Sequence, residues 1–368
     1  MKPFLLQQIL LRPDDILTLD LEQIQLLVSQ ARCSRLLASL AELLNQAGLS
    51  EQLSDNIWRH FQSEILIHEK QKRDLGYESE KIRRTLAVID ERLILLKGAA
   101  YILADLPVGC GRLITDIDII VPHSRIDEVE KNFNQAGWES SYLDSYNGEY
   151  YRKWGHEIPP LTDIKRGTTL DVHHNILPPT AGPNVDPHLL FDEIVEVKPG
   201  VFTLSLKDMV IHSATHLFHE GEFHHGLRDL WDLDVMLRDF PQRDPDFWDG
   251  LVARANELEL TGSLYHGLNY VRQVFSTPVP VQVLELAQSR SRRLRKPLMD
   301  FLFLRAFRPD HPHCRLPLTG AALFMLYIRS HYLRMPLYLL LPHLTRKAWM
   351  GYFEKEEESL EEAIEKKN

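Results

Sequence analysis

The run Asp116-Ile117-Asp118-Ile119-Ile120-Val121 narrows the possible folds more than any other stretch of this chain. It alternates polar and apolar residues and then turns wholly apolar. That pattern reads as a strand with a buried body and an acidic end. Asp116 and Asp118 stand at i and i+2, so a strand aims both carboxylates at one face. Like charges held that close repel. A divalent cation offsets them, because Mg²⁺ takes carboxylate oxygens together with phosphate oxygens. The plainer alternative is a solvated strand start with two chance aspartates, and so short a motif does not decide between them.

The surroundings add chemistry. Upstream, Leu93-Ile94-Leu95-Leu96 stops at Lys97-Gly98, which reads as a buried strand feeding a turn. Ala99 to Leu106 then reads as a short helix ended by Pro107. Glycine in such a turn lets the backbone approach a phosphate, and a helix N-terminus favours an anion. Downstream, Ser124 opens a helix to about Ala136, which Gly137 ends. Short strands are expected around Trp138–Leu143, Glu149–Trp154 and Ile158–Lys165, with the clearest at Thr168–His174. Within it Asp171 and His173 share a face. A third carboxylate on a neighbouring strand would complete a cluster for two metals, which can hold the attacking and leaving oxygens of a phosphoryl displacement.

Helices flank this block. Residues 1–90 show helical Leu spacing, with Phe61–Glu91 as one or two long helices. Residues 91–204 form an α/β unit with a mixed sheet, and residues 205–368 turn helical again. Ser205-Leu206-Lys207-Asp208 fits a capping box opening a helix to His219. A second helix is expected from about His224 to Asp239. The tail Glu354–Asn368 reads as a solvated helix end. His212, His216 and His219 fall at i, i+4 and i+7 on one face. They are candidates for a metal site or for lining a cleft with Arg228 and Asp232. The plain reading is a polar face, with Arg228–Asp232 as an i, i+4 ion pair. The run Tyr327, Arg329, His331, Tyr332 and Arg334 either packs on its own domain or rests on a membrane surface.

Composition bounds the partners. At 368 residues, with 44% hydrophobic and 26% charged residues, the chain reads as a soluble globular protein of about two domains. A formal net charge of −10 argues against a nucleic-acid reader. Cys33, Cys110 and Cys314 form no CxxC pair, which suits free thiols in a reducing cytoplasm. Met1–Leu11 has no cleavage-site pattern, and Ala321–Leu344, the nearest approach to a membrane span, is broken by Arg329, His331, Arg334 and Pro336.

In order along the chain, Leu96-Lys97-Gly98-Ala99-Ala100, Arg112, Thr115-Asp116-Ile117-Asp118-Ile119-Ile120-Val121 and Leu170-Asp171-Val172-His173 resemble the polymerase β-like nucleotidyltransferase superfamily. More narrowly they resemble its bacterial uncharacterised nucleotidyltransferase family, with His216, His219, Arg228 and Asp232 similar to that family's later helical residues. The resemblance spans about residues 20 to 240. It implies an α+β fold: a mixed sheet flanked by N-terminal and C-terminal helical regions. It implies that Asp116, Asp118 and Asp171 are catalytic and hold two Mg²⁺ ions with a bound nucleoside triphosphate. It further implies nucleotide contacts from Lys97, Gly98, Ala99, Arg112, Thr115 and His173, and transfer of a nucleoside monophosphate to a small-molecule or protein hydroxyl. Two other classes are open. Ala99, where the superfamily usually has Gly or Ser, fits a non-catalytic nucleotide-binding or regulatory protein on the same fold. The histidines of the 205–219 helix fit a metal-dependent phosphohydrolase.

Overall fold

The computed structural model describes residues 4–140, 155–219, 221 and 223–335. The expected strand at Glu149–Trp154 and the expected tail helix at Glu354–Asn368 lie outside those residues.

Four helices lead: α1 (Leu5–Leu11), α2 (Leu21–Cys33), α3 (Leu37–Gln46) and α4 (Asp55–Ala87). Asp20 caps α2 reciprocally with Gln23, each side chain accepting the other's backbone N–H. The charged stretch after residue 55 is one helix of 33 residues. Phe61, His68, Leu75 and Ile82 recur every seventh position along it and are buried, so a single stripe docks it on the rest of the molecule.

A seven-stranded sheet follows: β1 (Leu93–Leu95), β2 (Ile117–Ile120), β3 (Trp138–Ser140), β4 (Leu161–Asp163), β5 (Thr169–His173), β6 (Val195–Lys198) and β7 (Val201–Thr203). The spatial order is β3-β4-β5-β2-β1-β7-β6. β2 runs parallel to β5 and antiparallel to β1, and β1 runs parallel to β7, so the sheet is mixed. The apolar run at Leu93 lies in the middle, where all three strand residues are buried. Each contributes about 1.5–3 kcal/mol by leaving water. Between the strands lie α5 (Lys97–Leu103), which starts two residues before the expected position, α6 (Ile126–Gln135) and α7 (Pro187–Asp192).

The C-terminal helices are α8 (Leu206–His219), α9 (Gly226–Arg243), α10 (Phe247–Glu257), α11 (Thr261–Phe275), α12 (Val281–Ala287), α13 (Arg290–Ala306) and α14 (Thr319–Arg334). Half of the expected capping box forms at α8. The Asp208 N–H donates to Ser205 Oγ at 3.2 Å. The Asp208 carboxylate instead takes a fully buried bidentate pair from Arg254 of α10, at 2.8 and 2.9 Å. An interior guanidinium outcompetes a backbone N–H for that carboxylate. One continuous apolar core runs from Phe4 through the sheet to Leu326, so the three sequence regions share it.

Candidate active site

The topology places β2 and β5 side by side, with Asp118 opposite Asp171 in a parallel register. Partners in such a register project to the same side of a sheet. Asp116 sits half-buried in the bend just before β2, and its charge acts on both Asp171 and Lys97. The three aspartates therefore share one locality.

Asp118 is buried and already engaged. Its Oδ1 accepts from Lys97 Nζ at 2.8 Å and from His173 Nε2 at 2.9 Å. His173 Nδ1 lies 3.2 Å from Glu157 Oε2, so one imidazole bridges two carboxylates. Glu157 reaches it through an isolated antiparallel bridge to His173. Burial alone would raise the Asp118 carboxyl, but Lys97 and His173 outweigh it and hold Asp118 well below the usual carboxylate range. Burial alone would likewise lower the Lys97 ammonium; Asp118, then Glu157 and Asp116, reverse that and keep it charged.

Asp171 has the opposite surroundings. Burial first, then the charges of Asp118, Glu157 and Asp116, push its carboxyl up to about 7. Its Oδ1 is buried without a hydrogen-bond partner. A pocket that strains one carboxylate and leaves its oxygen bare, amid oxygen donors, suits a hard divalent cation. Among the described residues, the set of three ligand atoms lying within 4.8 Å of one another comes from His156, Glu157 and His173. The three aspartates are not drawn that close.

Lys97 stands at the strand-to-helix turn with φ 47, in the left-handed region that costs a side-chain-bearing residue roughly 1 kcal/mol or more. The next residue must be small. A Cβ on Gly98 would lie 2.6 Å from Ile114 Cγ2, so the segment before β2 fills the space that glycine leaves. Ala99 is buried in the first turn of α5. Thr115 is exposed and, with Asp116, Thr168 and Thr169, lines a cavity of about 190 Å³ beside α4.

Arg112 and Asp232 find each other instead of a cleft. Arg112 Nε donates to Asp232 Oδ2 at 2.8 Å, Nη1 donates to the Leu113 carbonyl, and Asp229 lies 3.7 Å away. This buried pair ties α9 to the segment that packs on Gly98. The i, i+4 pair expected for Arg228 does not form, because Asp232 is taken; Arg228 bonds the neighbouring Asp229 at 2.8 and 2.6 Å.

The α8 histidines divide. His212 is buried and pushed down to about 3, by burial first and then by the charges of Lys97 and His173. His216 is lowered by burial, Lys97 and His212, so both face the charged cluster. Further along the same face, His219 has left the site. It is pushed down to about 4 by burial and then Arg329, and it contacts the Thr215 carbonyl and Ser263 Oγ. The three do not form a metal set. Sequence reasoning missed His156 and Glu157, which belong to no motif and reach His173 only through the fold.

Residues 20–276 match the model of the uncharacterised nucleotidyltransferase family. The chain belongs to that family. No curated protein and no solved structure matches it. The nucleotidyltransferase match takes in α2 through α11, hence every site residue named above, and stops short of α12, α13 and α14.

Proposed function

We propose that the chain carries out Mg²⁺-dependent nucleotidyl transfer. A nucleoside monophosphate passes from a nucleoside triphosphate to a hydroxyl of a small molecule or protein, and pyrophosphate leaves. The observation that carries this reading is Asp118 in register with Asp171 on adjacent parallel strands, beside Asp116, with a buried Asp171 oxygen that nothing satisfies. In this reading Asp116, Asp118 and Asp171 hold two Mg²⁺ ions. Bound there, the ions would neutralise triphosphate oxygens and make the acceptor hydroxyl easier to deprotonate.

The remaining roles belong to the chain itself. Asp116 and Asp118 supply the charge that anchors the metal–triphosphate complex. Asp171 directs its charge at the acceptor oxygen. That oxygen bonds to the α-phosphorus as the bond to pyrophosphate breaks, and the hydroxyl proton leaves to solvent. Lys97, a compact point charge, is 2.8 Å from Asp118 and is placed to pass to a phosphate once Asp118 takes a cation. His173, oriented by Glu157, keeps the second contact to Asp118. Gly98, Ala99 and Thr115 complete the nucleotide contacts. Arg112 and Asp232 act by positioning the turn, and His216 and Arg228 border the cluster from α8 and α9. A cytoplasmic setting suits this substrate. A polynucleotide acceptor is disfavoured, because phosphate contacts from a basic face supply most of such affinity and the chain is net acidic.

The test compares Asp171→Asn with Asp118→Asn. Titration calorimetry with Mg·ATP and the other Mg·NTPs is expected to show binding kept in the first and weakened in the second. Pyrophosphate release should be lost in both. Equal loss of nucleotide affinity in both variants would sink the division of labour. Nucleotide binding with no turnover on any hydroxyl acceptor would favour the non-catalytic reading, to which the closed Lys97–Asp118–His173 contacts already lend weight.

A further inference from the structure

α14 is apolar almost all round, yet it buries only a narrow stripe. Ala322, Leu326 and Ser330, at i, i+4 and i+8, face the protein. Leu323, Phe324, Met325, Tyr327, Ile328 and Tyr332 are exposed, Phe324 by 62% and Tyr332 by 61%. A contiguous apolar surface of this kind is unfavourable in water and marks a contact. The sequence runs straight on from Met335 into Pro336-Leu337-Tyr338-Leu339-Leu340-Leu341, so the apolar character does not end with the helix.

The same region gathers positive charge. Residues 289–334 hold ten Lys and Arg against two Asp and no Glu, in a chain of net charge −10. At the start of α13, Arg293, Leu294, Arg295 and Leu298 are all exposed. Arg305, Arg308 and Arg315 line an open groove of about 560 Å³ together with Leu323, Phe324 and Tyr327; Asp310 lines it too and pairs with Arg315 at 2.6 Å, so Arg305 and Arg308 carry the groove's net positive charge. Arg305 donates to the Pro317 and Phe301 carbonyls, and Arg329 donates to the Phe218 carbonyl. A bond to neutral carbonyls leaves the charge of Arg305 uncancelled, whereas Arg329 is turned inward over the Phe303 ring. Large apolar side chains interleaved with guanidinium groups match a bilayer interface bearing anionic headgroups. A second copy of the chain fits poorly, because two such basic faces repel.

We propose that α13 and α14, with the groove between them, seat on a bilayer that contains anionic lipid. Phe324, Tyr327, Ile328 and Tyr332 enter the interface, and the arginines meet phosphate headgroups. The seat is peripheral: among the described residues no helix is long and apolar enough to cross a membrane. At the far end of α14, Arg334 donates to the His219 carbonyl at 3.1 Å, and its charge reaches His156. Arg334 continues the protein-facing stripe of Ala322, Leu326 and Ser330, so the inner side of the same helix is tied to α8. The proposal stands independently of the nucleotidyl-transfer reading.

Co-sedimentation of the full chain with vesicles tests it. The chain is expected to pellet with vesicles of phosphatidylcholine and phosphatidylglycerol, much less with phosphatidylcholine alone, and to be released by high salt. Arg293→Glu with Arg295→Glu should weaken binding by about tenfold or more. Phe324→Asp with Ile328→Asp should abolish it while the melting temperature holds. Absence of binding to either vesicle overturns the proposal, as does equal binding to both at any salt. A drop of many degrees in melting temperature for the Phe324 and Ile328 variant would mean that the chain itself covers the face. A concentration-dependent dimer broken by the same variant would assign the face to a second copy. Either result refutes the membrane seat.

Discussion

Replacing Asp171 with Asn should make the protein more stable at pH 8 in the absence of divalent cations. In the fold its carboxyl is raised from an ordinary 3.8 to about 7, by burial and by Asp118, Glu157 and Asp116. The sign follows from linkage. Below pH 3.8 the group is protonated in both states and costs nothing; stability falls as pH rises from there to about 7, and above 7 the fold holds the full unwanted charge. Three units at roughly 1.4 kcal/mol each set a ceiling of about 4 kcal/mol. Partial exposure trims that to about 2–4 kcal/mol. The amide brings its own cost, since it adds N–H donors to a buried site, and one left without an acceptor loses about 1 kcal/mol or more. The net expectation is a gain of about 1–3 kcal/mol at pH 8, or a few degrees in melting temperature for a chain of this size, and almost none at pH 5. Differential scanning fluorimetry at the two pH values reads it directly. Mg²⁺ should raise the melting temperature of the unmodified chain at pH 8 and do so less in the variant. A lower melting temperature for Asp171→Asn at pH 8, or the same difference at both pH values, would mean that the carboxylate is already compensated.

Three further outcomes are expected. His174 and His219 are both pushed down to about 4, chiefly by burial; the unfolded chain takes protons below 6.5 that the fold refuses. The stability they lend above pH 6.5 should be lost as pH falls toward 4, at about 1.4 kcal/mol per unit for each group, and a urea series in which His219→Asn leaves that slope unchanged would refute it. Arg254→Ala strands the buried Asp208 carboxylate, so it should lower the urea-unfolding free energy by about 3–5 kcal/mol, whereas Asp208→Leu with Arg254→Met should recover most of the loss. Gly98→Ala places a methyl 2.6 Å from Ile114 Cγ2 and should cost about 1–3 kcal/mol by overpacking; if Ile114→Ala does not relieve it, the contact is not the reason for the glycine.

What could be read from the sequence followed the reach of local patterns. Leu93–Leu95 announces itself as a strand because burial on both faces selects an unbroken apolar run, and Ile117–Ile120 because it alternates around Asp118 and then runs apolar into Val121. β7 does not, although it pairs with β1 in the middle of the sheet. Its three residues, Val201-Phe202-Thr203, are too few for any period to show. The pairing of Asp118 with Asp171 was legible as two acidic strands, but their register was not, because nothing within either strand says which strand it will neighbour. Charge partners were least legible. Asp232 stands four residues after Arg228, which predicts a helical ion pair, yet it bonds Arg112, far away in sequence. A buried carboxylate is satisfied best by a buried guanidinium, and only the fold decides which one is delivered. Lys97 shows the same rule at the site. Its place after a strand and before a glycine suggested a phosphate contact; in the fold its ammonium goes to the buried carboxylate of Asp118, 2.8 Å away. A lysine that neutralises its own cluster is compatible with the phosphate role proposed for it. That is why the spacing Lys97-Gly98 and Asp116-x-Asp118 could single out these residues without revealing that Lys97 touches Asp118.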